Sequence, residues 1–202
     1  MDNLVFERAE EFIKKEFINE KTGHDWHHIE RVYKMAHYLQ KYEGGNLEII
    51  KLAALFHDYT DKKLKDDPKC AELKMKAWFK LNGVTQIDIE AILVIIQNVS
   101  FSSKESSHSN LSLEGKIVQD ADRLDAIGAI GIARCFTYGG AKERYIYNPK
   151  DQKSTSIQHF YDKLLKIKDK IQTDTAKEIA VQRHEMLLFF LREFEDECNI
   201  QF

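Results

Sequence analysis

Apolar residues recur along this chain at intervals of three and four, the spacing that keeps one face of an α-helix against a core. Phe6, Ala9, Phe12, Ile13 and Phe17 form such a stripe within residues 2–20, opposite glutamates and lysines. Ile29, Val32, Ala36 and Leu39 repeat it within 25–43, and Gly44-Gly45 marks the end of that helix. A short, almost wholly apolar helix is predicted at 47–58. Pro68 suits a first helical position and opens a helix through Ala77, Trp78 and Leu81, closed by Asn82-Gly83. Further helices are predicted at 86–98, 112–126, 127–137, 156–171 and 175–197, the last opened by a capping box from Thr175 to Glu178. Polar stretches at 101–111 and 139–154 read as loops that could cover a pocket.

Strict alternation of period two persists nowhere, so the pattern specifies an all-α chain. Neither loop has the composition of a linker, and apolar helices continue after both. A single helical domain over residues 1–202 is therefore expected. Its motif-bearing core covers about 22–131, with the C-terminal helices at about 156–197 packing on it.

Composition narrows the class of function. The chain has 202 residues, 43% hydrophobic and 31% charged, with a formal net charge of -3. Proteins that wrap nucleic acid usually carry a basic excess, so nucleic acid is not an expected partner. The longest apolar runs, such as Ile92 to Ile96, fall far short of the ~20 residues that span a bilayer. Cys70, Cys135 and Cys198 are odd in number and lack close spacing, which fits reduced thiols in the cytoplasm. The N-terminal stretch shows no basic region leading into an apolar one, so no secretory signal is expected.

Against this background, His57-Asp58 stands out. It ends the apolar run Ile49 to Phe56, where an imidazole and a carboxylate need partners to be tolerated. His28 lies on the stripe His28, Val32, Met35, Leu39, so its ring faces the core. By itself a core histidine needs no metal. Asp25, one turn earlier, is placed to accept its second ring N–H. Asp122 follows Ile117-Val118 and precedes Leu124, on a helix expected to be largely buried, with Asp120 and Asp125 as rivals for its role. Adjacent residues on a regular helix diverge by ~100°, so His57 and Asp58 can reach one point only if the helix ends there. His28, His57, Asp58 and Asp122 would then offer two imidazoles and two carboxylates to one divalent ion. That mixed shell suits Mn²⁺, Fe²⁺, Ni²⁺ or Zn²⁺ better than Mg²⁺.

The ordered pattern resembles the signature of the HD-domain superfamily of metal-dependent phosphohydrolases. The words around it carry the likeness: His24-Asp25-Trp26-x-His28-Ile29-x-Arg31-Val32, Leu55-Phe56-His57-Asp58-x-x-Asp61-Lys62 and Val118 through Asp122-Arg123-Leu124-Asp125 to Gly131. The resemblance, to the small single-domain bacterial and fungal members, extends through Tyr138-Gly139-Gly140 and His159-Phe160-x-x-Lys163-Leu164-Leu165. It implies a helical fold around one metal, and for some relatives hydrolysis of nucleoside triphosphates to monophosphate and pyrophosphate. Asp61 is similar to the acid that some members place beside the attacking water or the leaving group, which implies a general acid/base role. Lys62 and Arg123, each close in sequence to a ligand, are the leading groups for substrate phosphate. His24 and Asp125 are assigned to the substrate as well, Asp125 with a supporting role behind Asp122 as the other option. A nucleotide is the expected partner, and a homodimer is compatible with a sequence that does not fix oligomeric state. The same site would also suit a phosphomonoesterase, a cyclic-nucleotide phosphodiesterase, or a module that binds metal and nucleotide without turnover.

Overall fold

A computed structural model describes residues 3–20, 23–61, 64, 66–99, 111–151 and 153–198. Among these the chain is helical throughout, with nine α-helices, two short 3₁₀ turns and no strand. It divides into two compact units, Met1–Asp122 and Arg123–Phe202.

The first unit is arranged about its most apolar helix. Asn3–Glu16 is α1, Trp26–Glu43 is α2, Leu47–Phe56 is α3, Pro68–Leu81 is α4, Gln86–Val99 is α5, and Leu113–Asp125 is α6, which runs to the unit's last residue and beyond. A helix that is hydrophobic on all sides must be surrounded. Accordingly α3 packs against α1, α2 and α5, and Ile50 and Leu52 through Phe56 are all buried. Two glycines with positive φ, Gly44 at 82° and Gly45 at 86°, turn the chain from α2 into α3. The Asn46 side chain then caps α3 by accepting the N–H groups of Glu48 and Ile49. The Asn46 N–H donates to Glu114 Oε1 at 3.0 Å, tying the start of α3 to the start of α6. At the other end of α3, Phe56 meets Phe79 and Trp78 at ring distances of 4.7 and 5.2 Å, and Phe12 and Tyr59 complete the aromatic cluster.

In the second unit, Gly128–Ala141 is α7, Ser156–Asp162 is α8 and Asp174–Cys198 is α9, with 3₁₀ turns at Leu164–Lys166 and Lys168–Lys170. Here α7 packs on α8 and α9, and Phe160 stacks on Phe190 at 5.5 Å. Gly131 lets α7 start close to the chain before it, since a Cβ there would collide with the Ala126 carbonyl. The Gly128-x-x-Gly131 spacing is thus a packing feature.

Several boundaries differ from the sequence expectation, each for an identifiable reason. Gly139-Gly140 reads as a helix stop, yet α7 continues to Ala141. Gly139 instead admits the Ser156 side chain, which a Cβ would displace. The helix expected over 156–171 is α8 followed by the two 3₁₀ turns, the break lying at Lys163 (φ -134°, ψ -57°). Ile157, Phe160, Leu164, Ile167 and Ile171 are nevertheless all buried, because tight turns satisfy a three-and-four spacing as well as one long helix does. The Lys177 N–H donates to the Thr173 carbonyl, so α9 is capped at Thr173 and the expected box at Thr175 lies inside its first turn. The loop expected at 101–111 lies outside the described residues except for Leu111. Among the described residues no helix is long and apolar enough to cross a membrane.

The aromatic cluster sets an energetic expectation. Phe79→Ala should lose about 3–5 kcal/mol in chemical denaturation, because Phe79 is wholly buried. Leu81→Ala, on the same helix but 86% exposed, should change stability by less than ~0.5 kcal/mol. Equal effects at the two positions would show that the rings do not anchor this core.

Candidate metal centre

The centre is built in the first unit, where the start of α2, the end of α3 and the last turn of α6 meet. Asp25 is the N-cap of α2, and its Oδ1 accepts the backbone N–H of His28 at 2.9 Å. This corrects the expectation that Asp25 would take the ring N–H of His28: the carboxylate serves the backbone and fixes where the helix begins. His28 is thereby set two residues into α2 with its ring fully buried.

The helix α3 ends at Phe56, two residues before the expected boundary at 58, with His57 as its C-cap. The chain then passes into tight turns, with Tyr59 N–H donating to the Phe56 carbonyl and Asp61 N–H to that of Asp58. His57 keeps αR torsions (φ -57°, ψ -36°) as the C-cap, and Asp58 follows in the turn. The Nδ1 of His57 lies 2.8 Å from the Ala54 carbonyl. A carbonyl can only accept, so Nδ1 carries the proton and Nε2 of neutral His57 presents a lone pair.

That lone pair points to a shared centre. His57 Nε2 lies 3.2 Å from His28 Nε2, 3.5 Å from Asp58 Oδ2 and 3.8 Å from Asp122 Oδ1. His28 Nε2 lies 3.4 Å from Asp58 Oδ2 and 3.5 Å from Asp122 Oδ1. Donors bound to one transition ion at about 2.0–2.2 Å sit roughly 3–3.5 Å from their neighbours. The spacing therefore fits a divalent ion. So does the chemistry, since two imidazole nitrogens this close need a proton or a cation between them. Burial opposes ionisation of Asp58, but the neighbouring His57 and the hydrogen bonds from His24 and His28 hold its carboxyl well below the usual range. His24 Nδ1 touches Asp58 Oδ2 at 2.8 Å, and its ring meets that of His28 edge to face.

Other residues singled out from sequence fall in different places. Asp122 is not largely buried as expected: its side chain is 25% exposed, whereas Asp120 and Asp125 are buried. Asp125, in the second unit, is ion-paired to Arg134 Nη1 at 2.8 Å, a partner nine residues away that no helical spacing announces. Arg123 donates to the Lys170 carbonyl. Asp61 is half-buried in the turn after Asp58, and Lys62 lies outside the described residues. Tyr59 belongs to the aromatic core, where burial, followed by Glu16, pushes its hydroxyl up to about 12. His27 is exposed, with Nδ1 3.6 Å from Glu30.

Comparison with known proteins agrees with this geometry. The HD domain family matches residues 25–127. The uncharacterized protein YpgQ of Bacillus subtilis is 40% identical over 192 residues, 95% of this chain and 92% of that protein. A crystal structure of YpgQ in complex with ADP superposes with a TM-score of 0.84 at 36% identity, covering 96% of this chain and 98% of that one. The Lin1889 protein of Listeria innocua gives a TM-score of 0.84 at 43% identity, each chain covered in full. An HD-superfamily hydrolase of Bacillus thuringiensis gives 0.80 at 43% identity over 97% of both chains. With the two histidine elements and the aspartate of α6 converging as they do, the chain belongs to the HD-domain superfamily and is a metal-dependent phosphohydrolase.

Proposed function

We propose that this enzyme hydrolyses nucleoside triphosphates to the monophosphate and pyrophosphate, with His28, His57, Asp58 and Asp122 holding its metal. The observation that carries the reading is that the two imidazole Nε2 atoms lie 3.2 Å apart and each is 3.4–3.8 Å from an oxygen of Asp58 and of Asp122. The ADP complex of YpgQ supports a nucleotide as the substrate class. Bound by these residues, Mn²⁺, Fe²⁺, Ni²⁺ or Zn²⁺ supplies Lewis acidity toward water and a phosphoryl oxygen.

The protein's own groups do the rest. The Ala54 carbonyl keeps the His57 ring in the tautomer that presents Nε2. Asp58 and Asp122 together offset a double positive charge, so an anionic substrate needs further cations. Lys62 and Arg123, adjacent in sequence to the second aspartate-bearing turn and to Asp122, are assigned that task. Asp61 is assigned the proton transfer of the reaction as general acid/base. Asp125, held by Arg134, is given no chemical step. The two compact units are taken as one domain, a reading supported by a family match that runs across their boundary. A cytoplasmic setting belongs to the same reading and is supported by Cys70, Cys135 and Cys198, all free thiols.

Metal depletion should abolish turnover, and Mn²⁺ add-back should restore it on a panel of nucleotides. Pyrophosphate released one for one with monophosphate is the expected result. Release of orthophosphate would make the enzyme a phosphomonoesterase, and cleavage of a cyclic nucleotide a phosphodiesterase. Stoichiometric binding without any product would leave a non-catalytic module. In a second set of measurements, His57→Ala should lose metal by more than the ~100-fold typical for an outer partner of a ligand. Asp61→Asn should keep its metal and lose ~10²–10⁴-fold in kcat. Unchanged turnover in Asp61→Asn would remove the acid/base assignment.

A further inference from the structure

Asp58 Oδ2 is approached by three imidazole nitrogens at unequal distances. His28 Nε2 and His57 Nε2 stand 3.4 and 3.5 Å away, spacings suited to groups that share an ion. His24 Nδ1 stands at 2.8 Å, a hydrogen-bond length. To ligate, both Nε2 atoms must be free of protons, and they can then no longer donate to the carboxylate. His24 also lies within metal-holding reach of His28 and Asp58, but its short distance to Oδ2 is that of a donor to the carboxylate. It sits just before α2, its side chain 31% exposed, on the segment whose helical start is fixed by the Asp25 cap.

We infer that His24 is a positioning residue for the metal centre: its Nδ1–H holds Asp58 Oδ2 in place, so that the carboxylate is oriented before an ion arrives. This rests on the metal reading above and gives His24 a task other than direct contact with substrate. The physical advantage is preorganisation. A carboxylate on a turn has two torsions to fix and two oxygens to choose between. One short hydrogen bond to Oδ2 selects the oxygen facing the imidazoles and removes that freedom. The edge-to-face contact between the His24 and His28 rings, 5.4 Å apart at 81°, holds the donor itself in register.

Mn²⁺ binding, followed through the electron paramagnetic resonance signal of the free ion, tests this without turnover. His24→Ala and His24→Phe both remove the donor, the second while keeping a ring, and each should weaken Mn²⁺ binding ~10–100-fold. His24→Asn places an amide nitrogen where Nδ1 stood and should recover most of that loss. kcat at saturating Mn²⁺ should then change less than the affinity does. Wild-type affinity for Mn²⁺ in the Ala and Phe variants would overturn the proposal, as would a raised KM for nucleotide as the sole change. Failure of the wild-type protein itself to bind Mn²⁺ or another transition ion would overturn the metal reading and this inference with it.

Discussion

The hydrogen bond between the His57 ring and the Ala54 carbonyl, made where α3 gives way to tight turns, is the constraint on which the centre rests. It decides which nitrogen of His57 carries the proton. It is made by the C-cap residue of α3, directly before the turn that carries Asp58. A carbonyl at a helix C-terminus has no intrahelical partner. His57 therefore satisfies a backbone group and orients itself in one contact.

That arrangement is tolerable only because its surroundings are rigid. Buried His28, His57 and Asp58 would each be costly alone. They lie on a scaffold in which α3 is enclosed by neighbouring helices and anchored at both ends, by Asn46 and Glu114 at its start and by the rings of Phe56, Trp78 and Phe79 at its finish. The polar groups then compensate one another: imidazoles lower the cost of the Asp58 charge, and the carboxylates prepare a site of net attraction for a cation. The degree of exposure follows the expected division of labour. The His28 and His57 rings are sealed, while Asp122 and His24 remain partly exposed.

In the second unit, several polar groups also support the architecture. Asp125 is neutralised by Arg134, and Arg183 and Arg123 donate to backbone carbonyls of Leu124 and Lys170. The segment Asp120 to Asp125 carries three acids in different surroundings: Asp120 and Asp125 are buried, and Asp122 is partly exposed beside His28 and His57. Only their burial and partners separate the one that reaches the imidazoles from the one that holds the protein together.

The sequence by itself determined the helical class and most helix positions, and it singled out His28, His57, Asp58 and Asp122 as candidate ligands, because these depend on local rules. Periodicity of three and four reports a buried helix face, and His57-Asp58 after a run such as Ile49 to Phe56 reports a polar pair that needs a partner. Tertiary structure decided what depends on distant neighbours. Gly139 signals a stop or a close approach equally well until Ser156 is seen against it. Asp25 lies one turn from His28 whether it serves the ring or the backbone. The hydrogen bond from His24 to Asp58 spans 34 residues, and the pairing of Asp125 with Arg134 has no helical spacing to announce it. Spacing along a chain encodes which face a residue occupies, but a hydrogen bond is set by ångströms and angles that exist only once the helices have packed.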